Sequence, residues 1–554
     1  MYAVDKLLQL NNARKKNTNA NAAIDGNGTS NTKKNNADVR VDVYEKECFP
    51  YGLVRYGVAP DHAATKNVTN KFDALLRDAR VRLFANVRVG GDGEEEKRSN
   101  ILRVSTRELL ERYSGVVLAH GAADNDRKLR IENEDALRGV YGARQFVNWF
   151  NGLPSAAPRS NREMHEDIVD RLQNKKNGSN VVIVGVGNVA LDCARILLRS
   201  TEELRETDIA THALEALEKA EVNSVTIVGR RSVAQAKFSP KELREVLGLP
   251  DLDVQIDDLE VTEEDIEEMN ASRPRRRAFE VLEKAKDAAA ENVISAEGTE
   301  KKKKKKILRV IFLHSPTGLL PEEDASSSLG FVKIRKNILQ GPSGNRKATL
   351  SDDAAKDETI LPCDILIRSV GYVGDKLDPK LVPSDDNGTI SHDGLGRVQY
   401  NEEDPSSASA TKGGRLYVCG WAKRGASGVI ATNVQCAEET VGAIEQDVLA
   451  GLLKPASTIV SDSDDDDANG GKNNNNLLFQ NDENNDKKKL LVTAAKWFKL
   501  DAVERGEEEE EEEKEENVTN SAEKTSKSSS SSISKSRTKI VDRDRALAIV
   551  GDDA

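Results

Sequence analysis

The chain has 554 residues, which is enough for two or three domains, but 32% of them are charged and only 4% are aromatic, so part of the sequence does not belong to a packed core. The formal net charge is −12, yet the acidic residues are concentrated in runs such as Asp464–Asp467 and Glu507–Glu513, so the average charge describes no particular binding face. No stretch has the apolar length of a membrane span, and neither a secretory signal nor a transit peptide is visible in the sequence. The five cysteines form no C-x-x-C pair and no metal-type cluster, which predicts buried thiols in a reducing compartment and no bound metal.

The first predicted elements are a helix over residues 1–10 and a strand, Val39–Tyr44, that ends at Glu45. A carboxylate in that position is typical of a nucleotide site, where it binds the ribose hydroxyls of adenosine. The glycine turn of such a site should precede the helix, but Gly26 and Gly28 lie in a polar segment after it. We therefore expect the chain as it stands to bind a dinucleotide poorly here, and we interpret the sequence as a shortened gene model whose true start lies upstream.

A complete nucleotide-binding pattern follows in the middle of the chain. Val181–Val184 is a buried strand, and Gly185, Gly187 and Ala190 follow it at the spacing of a dinucleotide-binding turn before the helix Leu191–Leu198. Glycine permits the tight turn and the close approach of the backbone to a pyrophosphate, and the helix N-terminus offers free N–H groups to the anion. The pattern predicts a dinucleotide site.

The next predicted strand, Ser224–Val228, indicates which dinucleotide binds. It is followed by Gly229, Arg230 and Arg231, where an NAD site would carry an acidic residue. Two guanidinium groups suit a 2′-phosphate, so the sequence favours NADP(H).

Several polar segments are predicted to be disordered insertions: residues 11–38, 461–489 and 505–536. The six-lysine run Lys301–Lys306 precedes a strand-like stretch, Ile307–Phe312. A nuclear-localisation or nucleic-acid function is one interpretation of that run, but aromatic residues are not interleaved with it, so a solvated loop is favoured and no nucleic-acid partner is expected.

Six segments form a specific set in the order Val41–Lys46, Phe49–His62, Asn148–Pro154, Gly187–Asp192, Lys241–Glu245 and Gly420–Ile430. Together they resemble the mitochondrial NADPH:adrenodoxin (ferredoxin) oxidoreductase family. The similarity extends from about residue 39 to about residue 450, and weaker similarity returns at Trp497–Gly506 and Lys539–Gly551.

The resemblance implies an α/β fold with two Rossmann-like dinucleotide-binding domains, in which an NADP domain is inserted into a discontinuous FAD domain. The FAD domain would comprise residues 1–118 and 369–554, and the NADP domain residues 119–368. Ala119–Ala122 and Ser369–Tyr372 would connect the two domains. The implied activity is transfer of a hydride from NADPH to FAD and of single electrons from the flavin to a [2Fe-2S] ferredoxin. The implied location is the matrix side of the mitochondrion, with peripheral association with the inner membrane as an open point.

The resemblance also implies cofactor-binding residues. For FAD they are Glu45, Leu53, Val89, Trp421, Gly428, Val429 and Ile430. For NADP they are Val186, Gly187, Asn188, Val189, Arg230, Arg231, Glu242 and Gly428. The helix that follows Gly428 would direct its N-terminus at the polar edge of the flavin ring, where its dipole favours negative charge.

His62 and Asp192 match positions near the redox centre of the family and are the candidate catalytic residues. Without the resemblance, His62 would be interpreted as a histidine satisfied after a Pro-Asp turn, and Asp192 as an exposed acid in the first turn of a helix. Trp421 alone would be interpreted as a packing residue.

Three basic residues, Arg244, Arg273 and Arg277, match positions that meet the acidic ferredoxin in the family. The last two belong to the cationic cluster Ser272–Arg277, which suits long-range attraction of an acidic partner, although most charge runs are solvated faces.

Two other function classes remain open at this point. A flavin-free, catalytically inactive NADP-binding remnant fits the intact nucleotide pattern, and a scaffold protein built around the acidic and polar segments is the weaker alternative.

Overall fold

The structure is a computed structural model that describes residues 1–12, 39–90, 101–122, 125–294, 305–379, 381–400, 415–428, 431–453, 491–506 and 537–551. Nearly all residues of the three segments predicted to be disordered lie outside these ranges, as do residues 301–304 of the lysine run. Disorder of those segments therefore stays a prediction.

The strands of the described residues are numbered in chain order. They are β1 (Val41–Glu45), β2 (Val81–Ala85), β3 (Val87–Val89), β4 (Leu102–Val104), β5 (Gly115–Leu118), β6 (Asn125–Asp126), β7 (Val140–Gly142), β8 (Ser179–Val184), β9 (Val222–Val228), β10 (Leu252–Asp257), β11 (Lys306–Ile311), β12 (His314–Glu322), β13 (Ala325–Gln340), β14 (Lys347–Leu350), β15 (Glu358–Pro362), β16 (Ile365–Arg368), β17 (Tyr372–Val373) and β18 (Arg415–Val418).

The helices are numbered in the same way. They are α1 (residues 2–12), α2 (Gly52–Tyr56), α3 (Ala63–Lys66), α4 (Val68–Leu76), α5 (Thr106–Arg112), α6 (Ala143–Asn151), α7 (Arg162–Gln173), α8 (Asn188–Leu198), α9 (Thr201–Arg205), α10 (Thr211–Glu218), α11 (Pro240–Leu247), α12 (Glu263–Asn270), α13 (Arg273–Ile294), α14 (Ala354–Asp357), α15 (Trp421–Arg424), α16 (Thr432–Leu449), α17 (Ala494–Arg505) and α18 (Arg543–Gly551). Short 3-10 turns occur at Pro154–Ala156 and Val233–Gln235.

A six-stranded parallel sheet, in the order β10-β11-β9-β8-β16-β7, occupies the region between residues 140 and 368. Its central strands are continuous apolar runs, and Val181, Ile183, Val225 and Ile227 are fully buried. Such runs are typical of parallel strands, because both faces of the sheet are covered. The strands predicted at Val181–Val184 and Ser224–Val228 are confirmed.

The two faces of this sheet are covered differently. Val181, Ile183, Val225 and Ile227 belong to a large core shared with the helices, including Leu191 of α8. The opposite face packs against the antiparallel sheet of β12, β13, β14 and β15. The parallel sheet is therefore the middle layer between helices and a second sheet.

The parts of the chain before residue 119 and after residue 368 contain smaller pairs of parallel strands. β1 pairs with β2, β3 with β4, and β5 with β18. Within the described residues, no strand joins the β1–β2 pair to the β5–β18 pair. β6 and β17 form an antiparallel pair, so the chain enters and leaves the central region at one place.

Residues near the C-terminus pack against the N-terminal part of the chain. Glu504 of α17 is buried, and its carboxylate accepts hydrogen bonds from Arg55 and from Arg537, the latter at 2.8 Å. The backbone N–H of Ile540 donates to the same carboxylate at 2.8 Å. Lys539 is also buried and donates to the carbonyl oxygen of Asn151 at 3.1 Å.

Two predictions about composition can be compared with the fold. All five cysteines are buried and free, which confirms the prediction of buried thiols. Of the helices in the described ranges, none combines the length and the apolar character needed to cross a bilayer.

Candidate active site

The turn between β8 and α8 has the geometry of an anion-binding loop. Gly185 has a φ of +128°, and a Cβ there would collide with the carbonyl oxygen of Ser369, so only glycine fits. Gly187 caps α8 with an extended backbone, and no heavy atom lies within 4 Å of the position its Cβ would take. Asn188 fixes the turn by accepting a hydrogen bond from the N–H of Ser239 at 2.7 Å. The space beside Gly187 at the N-terminal end of the helix is thus open, and a pyrophosphate would fit there.

The helix after this turn begins at Asn188, three residues earlier than the predicted Leu191. Val189 therefore belongs to the first helical turn, and Val186 lies in the loop before it. The carbonyl oxygen of Val186 accepts a hydrogen bond from the N–H of Lys237 at 2.8 Å. The four predicted residues Val186–Val189 are thus adjacent to the space before the helix.

Arg230 and Arg231 directly follow β9, the strand next to β8. Their backbone is held by Asn337, which donates to the carbonyl oxygen of Arg230 at 2.8 Å, and by the N–H of Leu313, which donates to that of Arg231 at 3.2 Å. Among the described residues, neither guanidinium has a hydrogen-bond or ion-pair partner. Burial and the charge of Arg230 lower the pKa of Arg231. Two adjacent, unpaired guanidinium groups favour a phosphate ligand.

Arg195 joins several carboxylates in the interior. Its side chain is fully buried, and its guanidinium donates to Asp61 at 2.6 and 3.0 Å, to Asp192 at 2.7 Å and to Glu242 at 3.3 Å. Burial raises the pKa of Asp192, although Arg195 acts in the opposite direction. Burial acts to raise the pKa of Asp61 as well, but the hydrogen bonds and charge of Arg195 lower it overall.

His62 lies against the same group. Its Nε2 is 2.9 Å from Oε2 of Glu245 and 3.4 Å from Oε2 of Glu242. Burial acts to raise the pKa of Glu245, but the hydrogen bond and charge of His62 lower it. His62, Asp192 and Glu242 offer ligand atoms within 4.8 Å of one another, and the positive charge of Arg195 lies beside both carboxylates. The two candidate catalytic residues are therefore brought together by the fold.

An aromatic pair lies beside this cluster. The rings of Tyr372 and Trp421 are stacked, with centroids 6.0 Å apart and an interplanar angle of 18°. Burial raises the pKa of Tyr372, and the negative charges of Asp126 and Asp192 add to the effect. Arg144 is placed over the Tyr372 ring at 6.0 Å from its centroid.

Two ring groups with unpartnered nitrogens lie at the carboxyl ends of β5 and β18. His120 follows β5 by two residues and Trp421 follows β18 by three, and the two strands run parallel. Both ring nitrogens of His120 and Nε1 of Trp421 are buried without a well-aligned hydrogen-bond partner among the described residues, and Asp375 acts on the pKa of His120 against the effect of burial. Ligands of α/β proteins bind beyond the carboxyl ends of parallel strands, so these groups fit a polar ligand such as a flavin.

The other FAD residues are distributed over neighbouring elements. Glu45 is the last residue of β1 and Val89 the last of β3, and the two strands are in contact. Burial raises the pKa of Glu45 to about 7, against the hydrogen bond from the N–H of Glu47. Leu53 lies in α2, and Gly428 has a φ of +83°. Val429 and Ile430 lie outside the described residues.

The three residues matched to the ferredoxin face are exposed and lie on adjoining helices. Arg244 is on α11, and Arg273 and Arg277 are in the first turns of α13, which packs against α11. Glu242 and Glu245 are also on α11. Helix α11 therefore carries Arg244 of the exposed basic face and also Glu242 and Glu245, which contact His62 and Arg195.

No role was predicted for Arg195, Glu245 or His120. Arg195 stands three residues after Asp192 on α8, which is the spacing of a helical ion pair and the one signal available for it. Glu245 contacts His62 and His120 interacts with Asp375, and each of these partners lies more than 180 residues away in the chain.

Since the glycine turn before α8 has open space at Gly187 and two unpaired arginines follow the next strand, the central sheet is that of a pyridine-nucleotide-binding α/β protein. The mitochondrial NADPH:adrenodoxin oxidoreductase of Arabidopsis thaliana is 38% identical over 416 residues, which is 75% of this chain and 78% of that protein. The Homo sapiens protein of the same name is 37% identical over 413 residues, or 74% of each chain. No family model matches the chain.

A solved structure supports the same relationship. FprA from Mycobacterium tuberculosis in complex with NADPH is similar over 99% of this chain and 96% of that one, with a TM-score of 0.69 and 28% identity. The chain belongs to the NADPH:adrenodoxin oxidoreductase family, a family of oxidoreductases. The resemblance found in the sequence and the predicted α/β dinucleotide-binding fold are both confirmed.

Proposed function

We propose that this protein oxidises NADPH and passes the electrons through FAD to a [2Fe-2S] ferredoxin of the adrenodoxin type. Family membership supports this activity, and the observation that carries it is the open turn at Gly187 beside the unpaired pair Arg230 and Arg231. The same two features favour NADPH over NADH, because a 2′-phosphate would complete the charge balance of the arginines.

The NADP site would be built from the predicted residues. The amides of residues 186–189 would bind the pyrophosphate, and Arg230 and Arg231 the 2′-phosphate. Glu242 would contribute a polar contact, and Gly428 would lie near the nicotinamide.

The FAD site would be built from the parts of the chain before residue 119 and after residue 368. Glu45 would accept the hydroxyls of the adenosine ribose, Leu53 and Val89 would line the adenosine half, and Trp421 with residues 428–430 would lie against the ring system. Bound FAD supplies the conversion between a two-electron donor and a one-electron acceptor. The unpartnered nitrogens of His120 and Trp421 support a polar ligand in this place.

The carboxylate and histidine groups would handle protons near the redox centre. Arg195 fixes Asp192 and Glu242 in position, and burial raises the pKa of both carboxyls, so each is a suitable proton acceptor. Nε2 of His62 is within reach of Glu245 and Glu242 and would exchange a proton with them.

Arg244, Arg273 and Arg277 would meet the acidic ferredoxin. Their exposure and shared location support a basic face that accelerates encounter by long-range attraction.

The organisation and location follow the family. We propose an FAD domain from residues 1–118 and 369–554 and an NADP domain from residues 119–368. The pairing of β6 with β17 supports this division, because it brings the two connections together. The named relatives are mitochondrial proteins, which supports a mitochondrial location for this chain. A position on the matrix side with peripheral attachment to the inner membrane is part of the proposal.

The test is the visible spectrum of the purified full chain after incubation with excess FAD and removal of unbound flavin. We expect flavin bands that bleach on addition of NADPH, and NADPH-dependent reduction of an added [2Fe-2S] ferredoxin. That result would also show that the poor dinucleotide binding expected from the missing N-terminal glycine turn is wrong. The double variant R230A/R231A should lose most of its preference for NADPH over NADH. A colourless protein that still binds NADPH would overturn the proposal and favour the inactive NADP-binding remnant.

A further inference from the structure

A buried network of side chains lies directly behind the arginine pair. Asp265 and Glu268 of α12 are only 2% and 4% exposed. Ser232 hydrogen-bonds Asp265, and Gln235 donates to Glu268 at 2.7 Å. Arg346, from the turn between β13 and β14, donates to both carboxylates, to Glu268 at 2.9 Å. The segment that follows Arg231 is therefore anchored to α12 and to the antiparallel sheet.

Glu268 also reaches an arginine on the next helix. Nη1 of Arg275 lies 4.0 Å from Oε2 of Glu268, and the Arg275 side chain is 41% exposed. α13 packs against the 3-10 turn Val233–Gln235, which begins two residues after Arg231. Arg275 is therefore held next to the arginine pair while part of its guanidinium remains open to solvent.

The helical repeat separates Arg275 from the residues matched to the ferredoxin face. At roughly 100° per residue, Arg273 and Arg277 are about 40° apart around α13, whereas Arg275 is about 160° to 200° from them. Arg273 and Arg277 are exposed, and Arg275 is half-buried against Glu268. The first two turns of α13 thus present Arg273 and Arg277 to solvent on one side and Arg275 to Glu268 on the opposite side.

The charges of this region do not cancel. Arg230, Arg231, Arg275 and Arg346 contribute four positive charges, and Asp265 and Glu268 contribute two negative ones, which leaves an excess of two positive charges. Burial acts to raise the pKa of Glu268, but the hydrogen bonds from Gln235, Gly344 and Arg346 lower it, so the carboxylate stays charged. A phosphate monoester carries close to two negative charges at neutral pH and matches this excess.

We propose that Arg275 is a third phosphate-binding residue of the nucleotide site, positioned by Glu268 to contact the 2′-phosphate of NADPH together with Arg230 and Arg231. The inference rests on the proposed NADPH site and adds a specificity-determining residue to it. The three guanidinium groups come from the loop after β9 and from the start of α13, so they would approach the phosphate from more than one direction. A bare 2′-hydroxyl has no charge for them to bind. Arg275 therefore contributes to the discrimination between NADPH and NADH.

The test compares R275Q with R276Q in the full-length, FAD-loaded enzyme. Arg276 is the adjacent arginine, is 64% exposed and pairs with Glu280 at 3.3 Å, so its substitution controls for the loss of one charge on the same helix. The measurements are the KM values for NADPH, NADH and ferredoxin, kcat, and the Kd of adenosine 2′,5′-bisphosphate against that of 5′-AMP.

We expect R275Q to raise the KM for NADPH and the Kd of the bisphosphate on the order of tenfold, as for loss of a hydrogen bond between charged groups. The KM for NADH, the Kd of 5′-AMP, the KM for ferredoxin and kcat should stay unchanged, and R275K should be intermediate because it keeps the charge without the planar fork. E268Q should weaken NADPH binding less than R275Q does.

Equal effects of R275Q and R276Q on NADPH would overturn the inference, and so would a rise confined to the KM for ferredoxin. The result for R230A/R231A distinguishes a failure of the inference on Arg275 from a failure of the proposed NADPH site. If that double variant loses NADPH preference and R275Q does not, the inference on Arg275 is wrong and the proposed site stands. If neither changes the preference, the proposed NADPH site itself is wrong.

Discussion

Arg195 and Asp61 form a two-point ion pair in the interior, with Nε to Oδ2 at 2.6 Å and Nη2 to Oδ1 at 3.0 Å, although 134 residues separate them in the chain. Arg195 belongs to the helix after the glycine turn, and Asp61 directly precedes His62. The pair therefore fixes the loop that carries His62 against the helix that carries Asp192.

We expect R195M to destabilise the protein by about 3 to 5 kcal/mol, because it leaves buried carboxylates without their counter-charge. Urea denaturation at neutral pH measures the effect. The control is R199M, since Arg199 is partly exposed and lies 3.7 Å from the same Asp61, and we expect it to cost less than about 1 kcal/mol. Equal losses in the two variants would contradict the role given to Arg195.

The two glycines of the turn should respond differently to substitution by alanine. G187A should fold with unchanged stability, because the backbone is extended and the space around the new Cβ is empty, but it should weaken NADPH binding by occupying that space. G185A should destabilise the protein, since φ is positive and the new Cβ meets Ser369. Thermal unfolding and NADPH titration of both variants separate the effects, and intact NADPH affinity in G187A would exclude a pyrophosphate at this turn.

His212 should make the protein sensitive to acid. Burial, reinforced by the nearby His165, lowers the pKa of His212 to about 4, and its Nε2 is 2.9 Å from the carbonyl oxygen of Trp149. The unfolded chain binds the proton more readily, so this contribution to stability is complete above about pH 6.5 and is lost as the pH falls towards 4, by at most roughly 3 kcal/mol. H212Q should flatten the dependence of the unfolding free energy on pH in that window. An unchanged slope between pH 6.5 and 4 would rule out this group as the cause.

Charge reversal on the proposed ferredoxin face should affect the partner and not the nucleotide. We expect R273E/R277E to raise the KM for ferredoxin more than tenfold at low salt and to reduce the effect of added salt, because long-range attraction is lost. The KM for NADPH should be unchanged. The matched control for the single variant R277E, which changes the charge by the same two units, is R162E on helix α7, where Arg162 is 81% exposed and pairs with Glu166. A similar loss in R162E would show that only overall charge matters.

Two central strands of the parallel sheet, β8 and β9, could be predicted from the sequence because each ends in a largely apolar run that is followed by glycine. Val181–Val184, Ser224–Val228 and the glycine turn between them all have the predicted type of structure. The following helix begins at Asn188 and not at the predicted Leu191. Gly187 is its N-cap, so Asn188 and Val189 already belong to the first helical turn.

Much of the candidate site depends on pairs that leave no local pattern. The contact between His62 and Glu245 joins residues 183 positions apart, and Arg195 meets Asp61 across 134. The antiparallel sheet β12 to β15 was also not predicted, although it covers one face of the central sheet. β12 and β13 form an antiparallel hairpin. The surface against which this hairpin packs includes residues of β8, which lies more than 100 residues earlier in the sequence.

The hydrogen bonds of Glu504 have a consequence for the length of the chain between residues 506 and 537. Arg537 and Ile540 bind Glu504 directly, so both ends of that segment are fastened at one point. For a disordered segment, as the composition of this one predicts, the entropy lost in closing the loop grows only with the logarithm of its length, by about 0.6 kcal/mol for each doubling. Evolution could therefore lengthen this acidic and serine-rich segment at small thermodynamic cost, as long as Glu504 and Arg537 were kept.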